Sequence, residues 1–163
     1  MQLRNTKLIT DIDRLKSIVQ NEQKNNKRVV FTNGCFDIIH PGHIFILQQA
    51  KSKGDILVVG LNSDQSISNF KSKSRPICSE DDRAYVLSGL ACVDYIFIFD
   101  EMTPENLIIQ ILPDILVKGK DYTVNQIAGS EYMLEKNKKV ELVDIIDKKS
   151  TSNIIKKIKN LNS

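Results

Sequence analysis

The stretch Val29-Val30-Phe31-Thr32-Asn33-Gly34-Cys35-Phe36-Asp37-Ile38-Ile39-His40-Pro41-Gly42-His43-Ile44 decides how the chain is read. It opens on three apolar residues, Val29–Phe31, with strong strand preference and too short a run for a helix. It closes on Pro41, which suits a first helical turn because its ring presets φ and its missing N–H has no partner there anyway. Ile44, Leu47 and Ala50 then recur at helical spacing. Strand, polar loop and helix make half of a βαβ unit, and the polar loop lies where such units hold ligands.

The same alternation continues outward. Ile56–Leu61, Tyr95–Phe99, Ile115–Val117 and Val140–Val143 are further short apolar runs rich in β-branched or aromatic residues. Helical stripes lie between and after them: Ala84, Leu87, Leu90 and Ala91; Leu107, Ile108 and Ile111; Ile154, Ile155, Ile158 and Leu161. Ser79 stands at capping-box spacing from Asp82, and Thr103 precedes Pro104, a good first helical residue. Strands alternating with helices require right-handed crossovers and a parallel sheet. The expected fold is therefore α/β, a single-domain Rossmann-like doubly wound sheet of about five parallel strands. Residues 28–163 would form the core and residues 1–27 an N-terminal helical extension. Its helix would span about 8–25, with Leu8, Ile12, Leu15 and Val19 on the apolar side.

Composition narrows the function class. The 163 residues are 41% apolar and 26% charged. No apolar run approaches the roughly 20 residues that span a bilayer, and Met1 to Lys27 is polar and lysine-rich, so a cytoplasmic protein without a membrane role is expected. Cys35, Cys78 and Cys92 are odd in number and show no Cys-x-x-Cys spacing, which argues for reduced thiols. A net charge of +3 with scattered basic residues argues against nucleic acid.

Open parallel sheets bind ligands beyond the carboxyl ends of their strands. Polar residues follow the strands in turn: Thr32 to Asp37; Asn62, Ser63 and Asp64; Lys118-Gly119-Lys120-Asp121-Tyr122; and Ser150-Thr151-Ser152 at a helix start. The first group is the sharpest. A helix start offers free amides and a positive dipole end to phosphate, and Gly42 would allow close backbone approach. His40 and His43, the only histidines, are three apart and can face one ligand. Such donors stabilise the charge that builds up during nucleotidyl transfer.

Other readings of these residues stay open. The histidines, with Asp37 or Cys35, could hold zinc, and Asp37 could merely brace the loop. Lys71-Ser72-Lys73-Ser74-Arg75-Pro76 is a basic connection, either a lid over a triphosphate or a solvated linker. Arg83, in a first helical turn, opposes the helix dipole, which suggests either a bound anion or an ion pair with Glu80. Lys118 and Lys120 are candidate phosphate ligands, and Ser150 and Thr151 are either phosphate donors or a cap. The P-loop and dinucleotide-binding fingerprints are missing.

Thr32 to His43 resembles the signature of the cytidylyltransferase-like nucleotidylyltransferases. Further stretches are similar to the branch that adenylylates D-glycero-β-D-manno-heptose 1-phosphate. They are Val59 to Asp64, Arg75-Pro76 with Asp82-Arg83, Val93-Asp94-Tyr95, Thr103-Pro104-Glu105 and Leu116 to Tyr122. The likeness runs from about Arg28 into the last helix, with Lys-Gly-x-Asp-Tyr carrying most of the case for the heptose branch.

The resemblance implies transfer of AMP from ATP to a sugar 1-phosphate, with Mg²⁺ held mainly by nucleotide phosphates and no protein metal site. His40, His43, Lys71 and Arg83 would be catalytic. Thr32, Asn33, Gly34, Cys35, Phe36, Gly42, Ser150 and Thr151 would bind nucleotide, and Asp37, Asn62, Asp64, Lys118 and Asp121 the acceptor. Lys148 stands where the family has glycine, and Ser152 where it has threonine. A cytidylyltransferase using CTP and glycerol 3-phosphate is the alternative. The resemblance further implies a homodimer. Too few residues precede the first strand for a sugar kinase, so a separate heptose kinase is expected.

Overall fold

A computed structural model describes residues 6–71, 73–146 and 149–161. Six strands form one sheet: β1 (Leu8–Ile9), β2 (Val29–Gly34), β3 (Ile56–Asn62), β4 (Tyr95–Phe99), β5 (Ile115–Gly119) and β6 (Lys139–Val143). Their order is β1-β4-β3-β2-β5-β6, with every pair parallel. From β2 the chain builds outward through β3 to β4, then returns to place β5 on the other side of β2. The order therefore reverses between β2 and β5, the position where open α/β sheets bind ligands.

Helices cover both faces: α1 (Ile12–Lys24), α2 (Pro41–Lys51), α3 (Asp64–Phe70), α4 (Glu80–Ser88), α5 (Glu105–Ile111), α6 (Ser130–Glu135) and α7 (Thr151–Leu161), with a 3₁₀ turn at Val124–Gln126. Strand alternation sorts the core. Val30, Val59 and Val117 pack with Leu47 of α2 and Leu87 of α4. Val29, Phe31, Val58 and Leu116 pack with Leu15 of α1 and Ile108 of α5. Burial on two faces explains why these strands read as continuous apolar runs.

The sheet has one strand more than the sequence suggests. Leu8 and Ile9 pair with Ile96 and Phe97 of β4, so Leu8 belongs to a strand and not to the helix's apolar side. The helix starts at Ile12 because the Asp11 side chain accepts from the Asp13 N–H at 3.0 Å. The Ser79 hydroxyl likewise caps α4 by accepting from Asp82 N, whereas Pro104 stands at the cap of α5 rather than inside it. Helices α3 and α6, of seven and six residues, are too short to show a period. Among the described residues no helix is long and apolar enough to cross a membrane.

Candidate active site

Over the carboxyl ends of β2, β3 and β5 lies a cavity of about 520 Å³, within the range of small-molecule sites. Thr32, Asn33, Gly34, Cys35, Phe36, Asp37, His43, Asn62, Lys71, Lys118, Asp121 and Thr151 line it, so twelve residues picked from the sequence meet there.

The β2–α2 loop is its floor. Phe36 and Ile38 have φ of 47° and 52°, a left-handed conformation that costs a bulky residue energy and persists only where neighbours enforce it. Gly34 makes room for the turn, since a Cβ there would lie 3.2 Å from the Phe36 ring. The buried Asp37 carboxylate accepts from Arg75 Nε at 2.8 Å, Ile77 N at 3.0 Å and Cys78 N at 3.0 Å, and pairs with Arg75 Nη2 at 2.8 Å. Burial alone would raise its pKa, but the two amides and the guanidinium together lower it. Asp37, taken from the sequence as an acceptor ligand, thus has its carboxylate occupied as a brace. It fixes one end of the basic 71–76 connection, of which Ser72 lies outside the described residues.

At the start of α2, His40 Nδ1 accepts from Gly42 N at 3.1 Å, so the remaining ring nitrogen carries the proton. A Cβ on Gly42 would approach the His40 ring to 3.0 Å. The glycine therefore admits the histidine ring, not a ligand, and neither His40 nor Gly42 lines the cavity. His43 does. Its ring stacks on His40 with centroids 3.8 Å apart and planes at 24°, and Phe36 meets it edge-on at 5.3 Å. Burial, with His40 and Lys71 adding to it and Asp37 opposing, pushes the His43 pKa down to about 4. The ring is neutral at pH 7, and its buried Nδ1 has no partner among the described residues. Stacked rings with one nitrogen committed to Gly42 cannot converge on a tetrahedral zinc ion.

Arg83 departs most from its expected place. It is 1% exposed and does not line the cavity. Its Nε donates to Cys78 O at 3.1 Å, Nη1 to Cys35 O at 2.6 Å and Asn62 O at 2.8 Å, and Nη2 to Asp64 at 2.7 Å. The guanidinium ties the ends of β2 and β3 to the α4 entrance. It faces protein carbonyls where an anion was expected, and its acidic partner is Asp64 where Glu80 was the alternative. Asp64 is thereby held outside the cavity.

Lys118 stands beside the end of β2 that leads into the β2–α2 loop, since β2 and β5 are neighbours. Its Nζ donates to Asn33 O at 3.0 Å and lies 5.7 Å from the Tyr122 ring centroid. Burial pushes its pKa down to about 8, against the pull of Asp121 and Cys35. Lys120 pairs with Asp144 at 2.6 Å on the exposed side. The Thr32 hydroxyl donates to Val117 O at 3.0 Å. Asn62 Nδ2 donates to Ser66 Oγ at 3.0 Å. Thr151 donates to Asp37 O. Ser150 lies outside the cavity and caps α7 by accepting from Asn153 N at 3.2 Å. Lys148 lies outside the described residues.

Sequence reading missed Phe70, Met102, Thr103 and Gln126–Ala128 in the lining. Met102 and Thr103 follow β4, where the carboxyl-end rule points, but an apolar residue there carries no ligand signal. Gln126–Ala128 belong to a segment without strand or helix periodicity.

The family model for cytidylyltransferase-like proteins matches residues 31–158. "Bifunctional protein HldE" of Campylobacter concisus (strain 13826) is 55% identical over 151 residues, 90% of this chain and 31% of that protein. The protein of the same name from Geobacter sulfurreducens (strain ATCC 51573 / DSM 12127 / PCA) is 49% identical over 92% of this chain and 31% of its own. The chain thus spans under a third of the length of these curated relatives. Among solved structures, the lipopolysaccharide core biosynthesis protein from Thermoplasma volcanium GSS1 aligns with a TM-score of 0.58 and 31% identity, covering 74% of this chain and 97% of that one. Pantothenate synthetase from Thermus thermophilus, at 18% identity and a TM-score of 0.56 over 86% of this chain and 61% of that one, shares the fold. From residue 31 to residue 158 the chain belongs to the cytidylyltransferase-like family, and it is a nucleotidyltransferase.

Proposed function

We propose that this nucleotidyltransferase moves AMP from ATP onto D-glycero-β-D-manno-heptose 1-phosphate and releases pyrophosphate. One observation carries the reading. The loop Lys118-Gly119-Lys120-Asp121-Tyr122, which bears the resemblance to the heptose branch, contributes Lys118, Gly119, Asp121 and Tyr122 to the cavity that holds Gly34–Phe36 and His43. The similarity to bifunctional HldE proteins and to a lipopolysaccharide core biosynthesis protein supports the same acceptor class.

In this reading the triphosphate lies along the β2–α2 loop. The acceptor's phosphate oxygen attacks the α-phosphorus in line, and no covalent enzyme intermediate is needed. Neutral His43 donates a hydrogen bond to the charge that develops on phosphate oxygens, and Lys71 and Lys118 supply positive charge. Arg83 and Asp37 act indirectly by holding the loops that present these groups.

Among the described residues no group of three or more His, Cys, Asp or Glu side chains is placed to hold a metal ion, and Asp37 and Asp64 are engaged by arginines. This donor set fits Mg²⁺, which keeps its waters and is bound through substrate phosphates. Bound that way, it would neutralise the departing pyrophosphate.

The test is a panel of nucleoside triphosphates against acceptor phosphates, read as pyrophosphate release with Mg²⁺ and with EDTA. ATP with the heptose 1-phosphate is expected to exceed CTP with glycerol 3-phosphate by at least about 10³ in kcat/KM, the scale at which a hydroxyl-bonding site rejects a poor match. Equal or better use of the CTP pair overturns the heptose reading.

A further inference from the structure

The end of the sheet divides the cavity into two sides. Along β2, alternate residues point to opposite faces. Phe31 packs with Leu107, Ile108 and Ile127, so Asn33, two residues on, projects to the α5 face. Its strand partner is Gly60, and a Cβ at Gly60 would lie 3.2 Å from Asn33 Cβ. Lys118 follows Leu116 of that same cluster by two residues and lies on the same face. Gly34 and His43 belong with the α2 face, where Phe36 packs against Leu47.

On the α5 side, Met102, Thr103 and Gln126 complete the wall. Asn33 is bound there by one end only. Its main-chain carbonyl holds Lys118 at 3.0 Å, while its side-chain Oδ1 is buried without a partner among the described residues. A buried amide oxygen left unpaired is costly, and a ligand hydroxyl removes that cost.

Resting on the adenylyl-transfer reading above, we infer that Asn33 binds the acceptor, with its side-chain amide reading a hydroxyl of the sugar phosphate while the neighbouring Lys118 meets the phosphate. The loop motif groups Asn33 with the nucleotide. Its strand position puts it across the sheet end from the histidine, on the side from which an acceptor reaches an α-phosphate held at α2. Asn33 is then a specificity-determining residue, and one that leaves ATP affinity alone.

The experiment compares the parent chain with N33A and N33S in pyrophosphate release. ATP and the acceptor are varied separately, and the acceptors are heptose 1-phosphate, its monodeoxy analogues and glycerol 3-phosphate. N33A should raise the heptose 1-phosphate KM by about 10- to 100-fold, the scale of one lost buried hydrogen bond, and change the ATP KM by less than about twofold. N33S, which restores a hydroxyl, should recover part of the loss. One monodeoxy analogue should be used equally by parent and N33A, because that pair lacks the same contact from either side. A raised ATP KM with an unchanged acceptor KM, or equal losses for every analogue, overturns the inference while the heptose reading stands. A parent chain that releases pyrophosphate only with other acceptors overturns that reading and this inference with it.

Discussion

Stacked on His40 and edge-on to Phe36, the His43 ring is held as a neutral donor. H43A should lower kcat by about 10²–10³, as for loss of one preorganised donor, with its melting temperature near that of the parent. H40A should differ, because it also removes the α2 cap, worth about 1 kcal/mol. A melting scan beside the rate assay separates the two. His43 also sets a pH response. Its folded pKa of about 4 lies below the ordinary 6.5, so between those values the unfolded chain takes up a proton that the folded chain refuses. His40 is lowered too, through burial and then Lys149. The contribution to stability is full above about pH 6.5 and is lost as pH falls toward 4. Urea midpoints should drop over that window, and less steeply in H43A. Lys118 acts at the other end of the scale. With its pKa near 8, it loses charge as pH rises, so acceptor kcat/KM should fall above about pH 8. K118R, charged throughout, should abolish that limb of the profile.

At the level of elements, capping was legible and clamping was not. Ser79 and Pro41 follow local rules, and α4 and α2 start where those rules put them. Helix α4 ends at Ser88 with Gly89 as its cap, so Leu90 and Ala91 of the expected stripe lie beyond it. Asp37 and Arg83 sit in motifs that suggest ligand contact, but their partners, Ile77, Cys78, Cys35 and Asn62, contribute main-chain groups. No residue type announces a backbone carbonyl's need for a donor, so a clasp of this kind leaves no trace in the sequence. R83A should therefore act through the fold. It leaves three carbonyls and Asp64 without their buried partner, a loss of about 3–5 kcal/mol. Denaturant unfolding should show it, and activity should fail in parallel with folding. Normal stability with a selective rise in the ATP KM would restore the phosphate role that the sequence suggested.

For the whole molecule, the parallel sheet was readable because strands buried on both faces are apolar throughout. The two-residue strand β1 was not, since Leu8–Ile9 is too short to show any period and gains its identity from β4. Nor could the sequence show that β2 and β5 are neighbours, which brings Lys118 to Asn33.

That adjacency has a consequence for synthesis on the ribosome. Three hydrogen bonds join the end of β2 and the loop after it to the last third of the chain: Thr32 to Val117, Lys118 to Asn33 and Thr151 to Asp37. A nascent chain that has emerged only through β4 can pair four strands but owns no closed site. A release series ending after Phe99, after Val143 and after Leu161 should gain ATP-dependent protection from proteolysis only at the last length. Nucleotide capture would then mark the moment at which the site closes around its ligand.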